Sequence, residues 1–188
     1  MKNKNLLLLP IILAFCFSSQ CLFAGKNNPD DFNQTVLVGS CKIEKGYFET
    51  EKDGQLFLQK SDDFELRLKQ NTVVTLSKNP LALTDELLLK KGLIGVKVLS
   101  DTLLIKTDFA DLRLRNATVT VRVTDHLVRV CVIEGTAIFI KGTNFIPVDA
   151  GNEIAASKDK LSKIYKYLDD LRYVWYWKPF DEEPSLRE

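Results

Sequence analysis

The sequence predicts a mainly β protein with one C-terminal helix. Three observations carry that expectation. From Thr35 to about Ala156 the chain is a succession of short β-branched or alternating apolar runs. Turn-forming pairs punctuate them, mostly about 8–12 residues apart. After Ser157 the apolar spacing changes from two to three and four.

Each segment can be justified in order. Lys2 and Lys4 precede an apolar run, Leu6 to Phe17, broken only by Pro10, and Leu22-Phe23-Ala24 follows a polar stretch. This is the layout of a secretory signal peptide over residues 1–24, cleaved after Ala24. The run is shorter than the roughly 20 residues a membrane-spanning helix needs. Cleavage therefore leaves a mature chain with no transmembrane span, periplasmic or secreted. An uncleaved anchor and a lipoprotein, using Cys16 or Cys21, are the rival readings; Phe15 and Gln20 are bulky where a lipidation site wants a small residue. The signal carries two lysines and no acid, so the mature net charge falls from +1 to −1. Such a balance gives no basic footprint for nucleic acid or anionic lipid.

Residues 25–34 are polar and read as a loose mature N-terminus. The β region, residues 35–156, then opens with Thr35–Val38 and Lys42–Ile43. It continues through Gln55–Gln59, Phe64–Leu68, Thr72–Leu76, Leu87–Leu89, Gly95–Leu99, Thr102–Lys106 and Ala110–Leu114. Thr118–Val123, Leu127–Ile133, Thr136–Ile140 and Phe145–Val148 complete it. Strict alternation places Val119, Val121 and Val123 on one face, and likewise Val128, Val130 and Val132. Turn signals include Asp53-Gly54, Gln70-Asn71, Lys91-Gly92, Thr124-Asp125, Glu134-Gly135 and Ala150-Gly151. Residues 82–91 and 134–137 have some helical propensity, which tertiary context can override. Periodicity leaves sandwich, barrel and solenoid open.

Leu161, Ile164, Tyr165, Leu168, Leu171, Val174 and Trp175 recur at helical spacing, predicting an amphipathic helix over about 158–176 within the unit 157–180. Ser157 suits its N-cap and Pro179 ends it. The tail 181–188 is charged.

The stretch Leu103–Ala156 resembles the FecR family. The runs carrying the resemblance are Ile105-Lys106-Thr107 through Val121, then Val128 through Ile140 around Glu134-Gly135, then Val148-Asp149-Ala150-Gly151-Asn152-Glu153. Asp63–Leu76 and Leu87–Val98 are similar to the family's earlier repeats, so the likeness covers about 55–156. Asn116-Ala117-Thr118 stands where the family has Gly-Thr, and Asp108 where it has proline. Asn tolerates a left-handed backbone, so the turn can survive. The resemblance implies a short-strand β-solenoid, with a β-sandwich as the alternative; the C-terminal helix would cap its open end, as repeat folds require. It also implies a non-enzymatic protein-interaction or sensory module of the bacterial cell envelope. The family's anti-sigma segment and membrane helix have no counterpart here, so transcriptional control does not follow.

The residues give little sign of catalysis or of a cofactor. His126 is the only histidine, and no Cys-x-x-Cys pair exists, so no zinc set of usual spacing is present. The adjacent pairs Asp62-Asp63 and Asp169-Asp170 read as solvated rather than as paired acids. Cys41 and Cys131 remain after export and could form one disulfide closing about 90 residues, worth on the order of 4 kcal/mol; separate buried thiols are the other reading. Tyr167, Tyr173, Tyr176, Trp177 and Phe180 crowd the last helix and are candidate partner-binding residues, since Trp and Tyr dominate interaction hot spots. The expected partner is another envelope protein. The alternative is a carbohydrate-binding or structural envelope module stacking aromatics on glycan.

Overall fold

The computed structural model describes residues 34–61, 64–79, 84–100, 102–166 and 173–176, with backbone alone at 34–37, 60–61, 78–79, 84, 173 and 176. The signal-peptide segment, the tail 181–188, Tyr167, Trp177 and Phe180 lie outside the described residues. Among those described, no helix is long and apolar enough to cross a membrane, which says nothing of a β-barrel.

The strands are β1 (Gln34–Val38), β2 (Cys41–Glu44), β3 (Tyr47–Thr50), β4 (Gln55–Ser61) and β5 (Phe64–Leu68). Then come β6 (Val73–Asn79), β7 (Thr84–Val98), β8 (Leu103–Lys106), β9 (Asp111–Leu114) and β10 (Ala117–Val123). The series ends with β11 (Leu127–Glu134), β12 (Thr136–Lys141), β13 (Asn144–Asp149), β14 (Asn152–Ser157) and β15 (Tyr165–Lys166), before a single helical turn, α1 (Tyr173–Tyr176). β3 and β14 are strands the sequence reading passes over, and β15 lies where it expects helix.

All are joined in one curled sheet whose two halves share β7. Sheet A runs β1-β4-β5-β7-β10-β11-β14-β15, using residues 92–98 of β7. Sheet B runs β2-β3-β6-β7-β8-β9-β12-β13, using residues 84–91. The fifteen-residue β7 is therefore two predicted strands fused across the expected Lys91-Gly92 turn. Gly92 makes the change of sheet, with φ of +102° and Thr72 Cα only 2.5 Å from where a Cβ would stand. Thr72 completes the seam: its Oγ1 accepts the Leu93 N–H at 3.0 Å, and the Thr50 hydroxyl accepts the Thr72 N–H at 3.0 Å. Both threonines are buried, so these bonds satisfy polar groups at the bend that water cannot reach.

The β character is as expected, but the solenoid is corrected. A solenoid stacks parallel rungs, whereas among the described strands only β7 with β8 is parallel. Short hairpin turns dictate antiparallel neighbours; a parallel pair needs a crossover. Here the second half of β7, lying in sheet A, is that crossover. One core fills the space between the halves. It includes Leu56, Leu66, Ile94, Val96, Val119, Val121, Val130 and Ile154 from sheet A, and Phe48, Val74, Leu87, Leu112, Phe139 and Val148 from sheet B. The valine alternation of 119–123 and 128–132 faces this core as expected. Residues 84–91 are strand despite their helical propensity, because Leu87 and Leu89 are wholly buried at period two. Asn116 does take the left-handed backbone, with φ of 51°.

The expected C-terminal helix is corrected over residues 158–166, while its stretch 167–172 lies outside the described residues. Residues 158–166 are not helical; Leu161 bridges Ala156, and β15 adds an edge to β14. Leu161, Ile164 and Tyr165, expected in a buried stripe, are exposed at 36%, 43% and 55%. Ser162 helps hold this extended path, its N–H donating to the Ala155 carbonyl and its hydroxyl accepting the Ala155 N–H, each at 2.9 Å. Among the described residues only Tyr173–Tyr176 is α-helical.

Candidate functional site

Strands facing a core on one side must present every second residue on the other. On the outer side of sheet A the strand registers align Phe57, Arg67, Gly95, Thr120, Cys131, Glu153 and Tyr165 in one lateral row. The middle of this row is covered by α1. Val174 is completely buried against Leu93 and Cys131, with Trp175 packed beside it.

The Trp175 ring lies over Gly95. A Cβ at Gly95 would stand 2.9 Å from the indole Cζ2, so the bare backbone creates the space the ring fills. The indole N–H donates to Thr120 Oγ1 at 3.0 Å. The Arg67 guanidinium lies 5.0 Å from the Trp175 ring centroid and 5.2 Å from that of Phe57, bridging the two by cation–π contact. Arg67 also reaches the Trp175 carbonyl at 3.5 Å and Glu65 at 3.1 Å. Next along the row, Glu153 accepts from Arg129 at 2.7 and 3.2 Å and lies 3.6 Å from the Cys131 thiol. The result is a slot with an apolar floor, one hydroxyl acceptor and a cationic wall. It is suited to an aromatic side chain with an N–H, and so to a peptide segment.

The two cysteines do not pair. Each is a thiol outside any disulfide, Cys131 in the outer row and Cys41 packed against the inner core from the β2 edge. Cys131 points outward because it alternates with the inward Val130 and Val132. The Cys41 sulfur lies 3.6 Å from the Gln55 carbonyl. Burial, helped by the Asp53 charge, pushes its pKa from 9.0 to about 11, so it is a protonated, unreactive thiol at neutral pH. His126 is exposed in the turn between β10 and β11. Among the described residues no three His, Cys, Asp or Glu side chains gather as a metal set.

Of the aromatic residues expected to bind a partner, Tyr173 and Tyr176 belong to α1, where their backbone alone is described. The sequence reading assigned Trp175 to a buried helix face; it is packed, but on the back of a sheet. The receiving residues Arg67, Gly95 and Thr120 were missed. A glycine inside a strand pattern was the available signal, since it marks close approach by another segment.

These features define a curled, antiparallel β domain whose outer face receives a peptide segment. The FecR protein family model matches residues 47–137, from β3 into β12, and so bears out the FecR resemblance over that stretch. Two crystal structures of candidate anti-sigma factors from Parabacteroides distasonis share the fold. One aligns at a TM-score of 0.56 and 17% identity, covering 70% of this chain and 63% of that one. The other gives 0.50 and 17%, covering 77% and 64%. The chain thus matches less than two thirds of the length of either relative. No curated protein matches it.

Proposed function

We propose that the chain is an exported, non-enzymatic FecR-like module of the bacterial envelope, with a regulatory or sensory role exercised through contact with another envelope protein. The observation that carries this reading is the FecR match over residues 47–137, the stretch that supplies Phe57, Arg67, Gly95, Thr120 and Cys131 of the outer row. That row already holds a peptide segment, which is the chemistry a protein-contacting module needs. The candidate anti-sigma factors of similar fold support a signalling context. Export rests on the pattern of residues 1–24.

Cell fractionation with intact-mass measurement tests export: the protein should sit in the envelope or medium and start near Gly25. Retention of Met1 in the cytoplasmic fraction would remove export from the account. A photo-crosslinking residue at Tyr165, compared with one at Asp125 in the β10–β11 turn, tests the contact. Adducts at Tyr165 that are protein support the reading; adducts that are glycan would favour the carbohydrate-binding alternative.

A further inference from the structure

We propose that residues 158–166, the outermost described segment of sheet A, form a strip that docks on an anionic lipid bilayer. The near-neutral charge of the whole chain conceals a local excess. The strip carries Lys158, Lys160, Lys163 and Lys166 against Asp159 alone, a net +3; the full chain is only +1, so its other residues together are −2. All four lysines are exposed, and none of their ammonium groups has a partner among the described residues.

Large apolar side chains are interleaved with these lysines. Leu161, Ile164 and Tyr165 are exposed, and the backbone keeps them so. The Lys141 ammonium donates to the carbonyls of Ser157 and Lys158 at 2.6 and 3.1 Å, and to that of Phe109 in the β8–β9 turn at 3.3 Å. The Ser157 N–H donates to the Lys160 carbonyl at 2.9 Å, and the Ser157 hydroxyl accepts the Lys160 N–H at 3.2 Å. The Ser162 bonds to Ala155 and the pairing of β15 with β14 fix the middle and the end. The strip is therefore preformed, and binding costs little ordering of the chain.

Its composition selects the occupant. Lysines on an edge strand serve to block pairing with another chain, but that role needs no large apolar side chains beside them. A soluble polyanion would use the charge and leave Leu161 and Ile164 in water. Protein interfaces are depleted in lysine and enriched in arginine, and the strip has no arginine. An anionic bilayer uses both features. Its headgroup phosphates attract lysines, whose alkyl stems lie along apolar surface, while leucine, isoleucine and tyrosine enter the interface.

Vesicle binding by the protein isolated from its own cells tests the proposal. It should sediment with phosphatidylcholine vesicles that contain phosphatidylglycerol, and added salt should release it. Lys160→Gln with Lys163→Gln should weaken binding about thirtyfold, or about fivefold per lysine. Lys90→Gln with Lys91→Gln removes the same charge at the exposed bend of β7 and should leave binding nearly unchanged. Ile164→Ser should weaken it about tenfold at constant charge. A photo-crosslinking residue at Ile164 should give phosphatidylglycerol adducts, and one at Lys90 should not. Absence of lipid adducts at Ile164 in the folded chain, or binding that ignores the two strip lysines, overturns the proposal. Binding that follows the lysines but ignores Ile164→Ser overturns the lipid occupant and points to an acidic protein segment instead. The adducts report on the strip itself and do not depend on export, so failure here is distinct from failure of the envelope reading.

Discussion

The two faces of β10 and β11 are made by different rules. Inward, Val119, Val121, Val130 and Val132 are fully buried against the other half of the curled sheet. Outward, one residue away, Thr120 and Cys131 are just as buried, but beneath Val174 and Trp175. The inner face is specified by local alternation and filled by the whole domain. The outer face is specified by one glycine, one threonine and one arginine, and filled by a segment about fifty residues further along the chain. Burial alone therefore does not distinguish a core from a docking site; what distinguishes them is how much of the molecule depends on each.

Substitutions can break that contrast. Val121→Asp or Val130→Asp places a carboxylate without a partner in the inner core and should cost more than about 4 kcal/mol. Denaturant melts should show loss of cooperative folding, and a parental midpoint would refute the inward assignment. Gly92→Ala strikes the seam on which both faces depend. Its positive φ and the nearby Thr72 backbone predict a loss of about 2–3 kcal/mol, read from the same melts.

Trp175→Ala should cost less, about 1–2 kcal/mol, because a hydrogen bond and a cation–π contact are lost outside the main core. Hydrogen exchange sharpens the comparison. Amides of β7 near Gly95 should lose some protection, while those flanking Val130 keep theirs.

The smallest effect concerns Cys41. Its folded pKa is raised, so its contribution is complete below pH 9 and fades as pH rises toward about 11. Cys41→Ala should therefore have a shallower loss of stability over that window than the parent. Identical slopes would contradict the burial of the thiol.

Much of the inner face is legible in the sequence because period two is a local property. The valines of 119–123 and 128–132, and most strand positions, follow from it. The pairing of strands does not. Nothing local says that residues 84–98 are one strand serving two sheets, and the helical propensity of 82–91 obscures it. The helical spacing of Leu161, Ile164 and Tyr165 misleads for the same reason. Extended pairing with β14, fixed by Ser162, prevails over a pattern that the sequence alone reads as helix. The slot was half visible: Trp175 and Gly95 each carried a signal, but their meeting is a tertiary fact.

The most direct test of the central claim is solvent exchange of the Trp175 indole N–H, followed by NMR on the full chain with Trp177→Phe to leave one indole. A ring seated over Gly95 and bonded to Thr120 predicts an indole proton protected from exchange. Gly95→Val should release it while the amides flanking Val121 and Val130 stay protected. An indole that exchanges in the Trp177→Phe parent as fast as free tryptophan would contradict the account.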